Sequence, residues 1–196
     1  MNRLKRTLAS WTTRELLVTV VIALAIGIVS IPLRLATSAL GITFGPLVSV
    51  PLSSYVVLGG CFVAYVIRRP LAVSLSQIIV GLVLSVTMPA GIFLIVLYII
   101  HAIAIELPFA VTRYKRFGFG VMAAAGGIAR LLILAAAWLA AGLQNSAVLV
   151  QVGLVLGALV GGAIGGVLAK LLGDALAKTG VVSLGLFDVE DEMETA

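Results

Sequence analysis

The stretch "HAIAIELPFAVTRYKRF", residues 101–117, decides the reading of this chain. It closes one long apolar run and opens the next. It places a carboxylate, Glu106, inside a segment apolar enough to cross a bilayer, then sets Arg113, Tyr114, Lys115 and Arg116 directly behind it. A carboxylate at that depth and a basic run at that boundary each need a physical account.

Of the 196 residues, 62% are hydrophobic and 11% charged, and mean hydropathy is +1.24. A soluble domain needs far more polar surface than this. The composition is that of an integral membrane protein. The single cysteine, Cys61, excludes an internal disulfide. With His101 as the lone histidine, Cys/His metal clusters of the usual spacing are also excluded.

Six apolar stretches stand between polar breaks: Leu16–Leu33, Leu47–Ile67, Leu71–Met88, Gly91–Val111, Gly118–Gly142 and Ala147–Leu172. Each is long enough to span as a helix. None alternates apolar and polar residues as a β-barrel strand would. Backbone in lipid must satisfy its own hydrogen bonds, so helix follows. Pro32, Pro46, Pro51, Pro70, Pro89 and Pro108 fall near the ends of these runs, where a missing amide donor costs least. The fold class is an all-α bundle of six transmembrane helices.

Six crossings put eleven of the 13 basic residues on one side: Arg3, Lys5, Arg6, Arg14, Arg68, Arg69, Arg113, Lys115, Arg116, Lys170 and Lys178. Arg34 falls on the other side and Arg130 within the membrane. The positive-inside rule then places both termini in the cytoplasm and makes the basic run at 113–116 a cytoplasmic anchor. Trp11, Tyr65, Tyr114 and Trp138 lie near span ends, where interfacial aromatics belong. A cleaved signal peptide is the rival reading of residues 1–39, but its apolar core is long for one. Five of the eight acidic residues lie in Asp188–Thr195. Residues 183–196 read as a disordered cytoplasmic tail after a membrane domain of residues 1–182. The net positive charge is a topology signal here and not a nucleic-acid footprint.

Gly153, Gly157, Gly161 and Gly165 recur every four residues, continued by Ala169 and Gly173. Such a row drifts slowly round one helix face and lets another backbone approach closely. Packing within the bundle is the favoured reading. A shorter row, Thr19, Ala23 and Gly27, lies in the first stretch.

Polar side chains at depth are few: Gln77, His101, Glu106, Arg130 and Gln151. Such groups face the bundle interior or a cavity. His101 and Arg130 fall near mid-membrane. Glu106 lies roughly 7.5 Å further along, on a different face from His101. Glu106 reads either as an ion-pair partner of Arg130 or as a neutral carboxyl near the boundary. Substrate-contact candidates are Gln77, His101, Arg130 and Glu106. No nucleophile motif serves His101, and no HExxH or P-loop motif occurs, so catalytic residues are not assigned.

"VIRRP" after the second span, "IELPFAVTRYKRFGFG" at the fourth-to-fifth turn and "ALAKTGVV" after the sixth resemble the YkoE family over about Leu16–Val182. These are S components, the substrate-binding membrane subunits of energy-coupling factor (ECF) transporters. The resemblance implies capture of a thiamine-related vitamin compound from outside, with no bound cofactor. It implies work with a T subunit and two ATPase subunits. It further implies that Ala23 and Gly27 contact the T subunit and that the connection "RLATSALGITFGP" covers the outward site. Against the family pattern, Gln77 stands where many members carry glutamate, and His101 where they carry glutamine. A stand-alone secondary carrier and a non-transporting helical scaffold are the rival functions.

Overall fold

The computed structural model describes residues 11–138 and 142–179. The basic residues before Trp11 and the acidic tail at 183–196 lie outside them.

Helix α1 runs Thr13–Phe44 and begins with a reciprocal cap. The Glu15 amide donates to Thr12 Oγ1 at 3.2 Å, and the Thr12 amide donates to Glu15 Oε2 at 2.7 Å. The sequence reading ends this helix at Leu33, but it continues through Pro32 for three more turns. Pro32 withdraws one amide donor, a loss that membrane helices tolerate. At 1.5 Å per residue the 32 residues reach about 48 Å, beyond the ~30 Å of hydrocarbon. The stretch expected as a covering loop is therefore a helical extension. It ends at Gly45, whose φ of 78° turns the chain into Pro46.

Next come α2 (Pro46–Leu52), α3 (Tyr55–Ile67), α4 (Ala72–Thr87), α5 (Phe93–Val111), α6 (Phe119–Trp138), a 3-10 turn (Leu143–Asn145) and α7 (Val148–Lys178). Helices α2 and α3 form one crossing, broken at Ser53–Ser54. Five crossings are long and apolar enough to span a bilayer; α4, with 16 residues, is a shorter apolar helix. Large apolar side chains such as Leu17, Val21, Ile28, Ile103, Leu149 and Leu156 point outward, as a lipid-facing surface requires.

The centre of the bundle is α3. Ten of its residues are buried, and it packs on α1, α4, α5, α6 and α7. Cys61, Val57, Ile105, Phe109, Met122 and Ala129 belong to one core cluster around it.

The small-residue row of α1 faces inward. Glu15, Thr19, Ala23, Gly27 and Ser30 are buried against the rest of the chain, Ala23 completely. A Cβ on Gly27 would stand 3.1 Å from Val83 Cβ on α4. Gly27 thus packs against α4 and Ala23 is buried within the chain, at the positions where the resemblance implies a contact for the T subunit. The Ala23→Leu/Gly27→Leu double substitution is therefore expected to destabilise the isolated chain, lowering its melting temperature in detergent by roughly 10 °C. An unchanged melting temperature would return the row to an outside partner.

Helix α7 presents two glycine rows. Gly153, Gly157, Gly161 and Gly165 lie along α2 and the start of α3. A Cβ at Gly157 would stand 2.8 Å from Pro51 Cγ, and one at Gly161 would stand 2.9 Å from the Pro51 carbonyl oxygen. A second row, Gly162 and Gly166, meets Gly126 of α6 backbone to backbone. A Cβ on Gly162 would lie 2.9 Å from the Gly126 carbonyl carbon and 2.7 Å from Arg130 Cβ. This closest helix pair in the bundle sets the height at which Arg130 enters the interior.

Candidate substrate chamber

The ionic groups divide between the two ends of the bundle. Glu15, Glu106 and Asp174 are the acidic residues described, and all three lie at the end carrying Arg68, Arg69 and Tyr114. Glu15 Oε1 accepts from Arg69 Nε at 2.9 Å, tying the start of α1 to the α3–α4 turn. Asp174 accepts from Lys170 Nζ at 2.7 Å and from the Tyr65 hydroxyl, tying α7 to α3.

Glu106 is a cap supplied from another helix. Helix α4 starts at a left-handed Leu71, φ 67°, and its N-cap side chain makes no hydrogen bond. The Leu71 amide donates to Glu106 Oε1 at 2.5 Å. The Ser74 amide and hydroxyl donate to Oε2 at 2.9 and 2.5 Å, and the Tyr114 hydroxyl donates to Oε1 at 2.5 Å. A carboxylate at a helix N-terminus satisfies orphan amides and complements the helix dipole. Burial, then the Glu106 hydrogen bond and charge, push the Tyr114 phenol pKa up, so that hydroxyl stays a donor. The alternative of a Glu106–Arg130 ion pair is not what forms, because four donors saturate the carboxylate near the end of α5.

Arg130 is held instead by the break between α2 and α3. The Ser54 amide turns to the Pro51 carbonyl at 3.1 Å and so leaves the Val50 carbonyl without its usual i+4 donor. Arg130 Nη2 donates to that carbonyl at 2.8 Å and also to Ser53 Oγ. The Ser53 hydroxyl itself donates to Val50 O at 2.9 Å.

Six buried polar atoms lack hydrogen-bond partners among the described residues. Buried and without a hydrogen bond are Arg130 Nε, His101 Nδ1, the hydroxyls of Tyr55, Tyr98 and Ser54, and Gln77 Oε1. Tyr98 and His101 share a face of α5, their rings edge to face at 5.1 Å. Arg34, from the extension of α1, stands within electrostatic range of Tyr55, Tyr98, His101 and Arg130. Gln77 lies over Gly60, whose missing side chain admits the amide: a Cβ there would stand 3.1 Å from Gln77 Nε2. A polar crevice of about 200 Å³, lined by Arg34, Thr37, Ser38, Gly41, Ser49, Val50 and Ser53, opens beside the residues that hold Arg130. Burying an unsatisfied polar group costs about 1–3 kcal/mol. Those on Arg130, His101 and Tyr98 mark a place shaped for something that bonds to them.

Of the four candidate contacts, His101 and Arg130 thus meet in one region, Gln77 is buried with an unpartnered oxygen, and Glu106 is committed elsewhere. Sequence reasoning missed Arg34, Tyr55, Tyr98 and Ser54. Tyr98 was within reach, since it precedes His101 by three residues on one helix face. Gln151 tethers α7 locally, donating to the carbonyls of Ser146 and Gln144 at 2.9 and 3.1 Å.

A multi-pass helical bundle with buried, partner-poor polar side chains beside a crevice toward one end defines a class: a membrane subunit that holds a small polar solute. Residues 14–132 match the family described as ABC-type cobalt transport system, permease component, and the chain belongs to that family. It is similar to the "Putative HMP/thiamine permease protein YkoE" of Bacillus subtilis (strain 168), 28% identical over 180 residues, which cover 89% of this chain and 88% of that protein. Its fold matches the crystal structure of an S-component of an ECF transporter with a TM-score of 0.84 at 26% identity, covering 95% of this chain and 94% of the other.

Proposed function

We propose that this chain is the substrate-binding S component of an ECF-type transporter in the plasma membrane, and that it captures a neutral heteroaromatic vitamin precursor of the hydroxymethylpyrimidine type. A single observation carries the ligand reading. Arg130, His101 and Tyr98 offer unpartnered polar atoms close to one another, and no described carboxylate lies among them. An aminopyrimidine with a hydroxymethyl arm presents both kinds of complement: ring nitrogens that accept, an amino group that donates and a hydroxyl that does either.

Thiamine adds a permanent positive charge. At about 5 Å and an effective dielectric near 20, a thiazolium and the Arg130 guanidinium repel by about 3 kcal/mol, roughly a hundredfold in affinity. The family description also mentions cobalt. Among the described residues no three His, Cys, Asp or Glu side chains come together, which favours an organic ligand over a cation.

The concentration of Arg14, Arg68, Arg69, Arg113, Lys115, Arg116, Lys170 and Lys178 at one end supports a cytoplasmic location for that end and for both termini. The chamber then opens outward beneath the α1 extension. Capture is not catalysis: the chain acts as a binding subunit, and import is driven by two ATPase subunits through a T subunit.

A thermal-shift series on the purified chain with hydroxymethylpyrimidine, thiamine and cobalt(II) tests the assignment. Hydroxymethylpyrimidine at 100 times its Kd is expected to add ~2.7 kcal/mol of stability. Stabilisation by cobalt(II) alone would overturn the ligand reading.

A further inference from the structure

The basic run at 113–116 has so far been read as a topology signal, but the structure builds it into something more specific. Tyr114 is drawn inward to Glu106 at 2.5 Å. The loop is fixed around it by a Tyr114 amide to Phe109 carbonyl bond at 3.0 Å and a Lys115 amide to Thr112 carbonyl bond at 3.2 Å. Arg113 and Tyr114 both take left-handed backbone, φ 53° and 56°, which L side chains adopt only when held there. With Tyr114 anchored, Arg113, Lys115 and Arg116 remain exposed on a loop of defined shape. None of them forms an ion pair among the described residues.

Directly beside this loop the lipid-facing surface opens into a groove of about 300 Å³ between the end of α5 and the start of α6. Its walls are Leu107, Pro108, Val111 and Thr112 on one side and Val121, Ala124, Ala125 and Ile128 on the other. From Val121 to Ile128 it runs roughly 10 Å along α6. The wall is almost wholly apolar, with the Thr112 hydroxyl turned to its own helix at Phe109 O, 3.0 Å. The first turn of α6 holds no acidic residue, and Gly118 and Gly120 leave open space where a side chain would stand. Helix dipole, three cations and an acyl-sized apolar groove are therefore adjacent.

We infer that the α5–α6 groove and the Arg113/Lys115/Arg116 loop form a binding site for one anionic phospholipid, its phosphate held by the loop cations and an acyl chain seated in the groove. The charge complement decides the occupant. A zwitterionic lipid fills the groove equally well but brings its own cation to a site that already has three. Juxtamembrane cations strengthen binding to anionic lipid headgroups. Because the lipid clamps the turn that carries Tyr114, its binding also steadies the Glu106 cap on α4. This site is independent of the ligand reading above, since it lies at the opposite end of the bundle from Arg34.

The test uses the full chain in detergent, titrated with phosphatidylglycerol, phosphatidylcholine or soluble glycerol phosphate, and read by native mass spectrometry and melting temperature. Phosphatidylglycerol is expected to be retained in preference to phosphatidylcholine by roughly tenfold. Glycerol phosphate is expected to bind far more weakly than the lipid. Two variants separate the parts. The Arg113→Gln/Lys115→Gln/Arg116→Gln triple removes the charge and should abolish the preference while leaving lipid binding nonselective. Ala124→Phe fills the groove from an exposed position and should weaken retention of both lipids with the charges intact. Equal retention of the two lipids by the unaltered chain would overturn the site. So would an undiminished phosphatidylglycerol preference in the triple variant, or unaltered retention in Ala124→Phe. Glycerol phosphate binding as tightly as the lipid would reduce it to a phosphate site.

Discussion

The Arg130→Met substitution is expected to weaken ligand binding by roughly thirtyfold, about 2 kcal/mol, with little change in melting temperature. Methionine keeps the length and apolar stem of arginine. The Val50 carbonyl keeps the Ser53 hydroxyl as donor at 2.9 Å, so no acceptor is orphaned. Arg130 has no carboxylate among its hydrogen-bond partners, so the substitution also removes the desolvation cost of a buried charge. What disappears is the Arg130 Nε donor, which is buried and has no described partner. Calorimetric titration beside a melting curve separates the two roles. A large loss of stability with binding intact would make Arg130 a strut of the α2–α3 break.

The second large effect lies where α6 meets α7. Gly166→Ala is expected to cost about 3 kcal/mol or more, because the new methyl meets backbone and not a side-chain tip. It would stand 2.7 Å from the Met122 carbonyl carbon, so only separation of the two helices relieves it. Gly153→Ala is the control. Its methyl would meet only the Leu47 Cδ2 tip at 2.8 Å, which rotates away, so the cost stays below about 1 kcal/mol. Melting temperatures in detergent should therefore fall by roughly 10 °C for the first and hardly move for the second. Equal effects would mean that the close approach of α6 and α7 does not hold the bundle together.

The helical bundle was legible because continuous apolar runs leave the backbone no alternative in lipid. The six stretches correspond to the observed crossings, and the errors fall where local rules compete with packing. Pro32 was read as a stop, yet α1 continues, since one missing donor costs less than ending a helix that packs onto α2 and α4. The Thr19/Ala23/Gly27 row shows a surface suited to close approach but not which neighbour uses it. Spacing on α7 revealed the Gly153 row and not the tighter Gly162/Gly166 row, because both satisfy a four-residue period and only the partner glycine, Gly126, tells them apart. Glu106 reads as either a partner of Arg130 or a neutral boundary carboxyl, because sequence shows charges and hides helix starts. The α4 amides that it caps belong to Leu71 and Ser74, apolar and neutral residues more than thirty positions away. The chamber was half visible: His101 and Arg130 stood out as polar groups at depth, while Tyr55 and Tyr98 looked like ordinary aromatics in an apolar helix.

The central claim is a chamber that selects a neutral ring over a cationic one. Calorimetric titration of the unaltered chain and the Gln77→Glu variant with hydroxymethylpyrimidine and thiamine tests it most directly. The account predicts tighter binding of hydroxymethylpyrimidine by the unaltered chain, and a shift toward thiamine when a carboxylate is introduced at position 77. Tighter binding of thiamine by both proteins would contradict it.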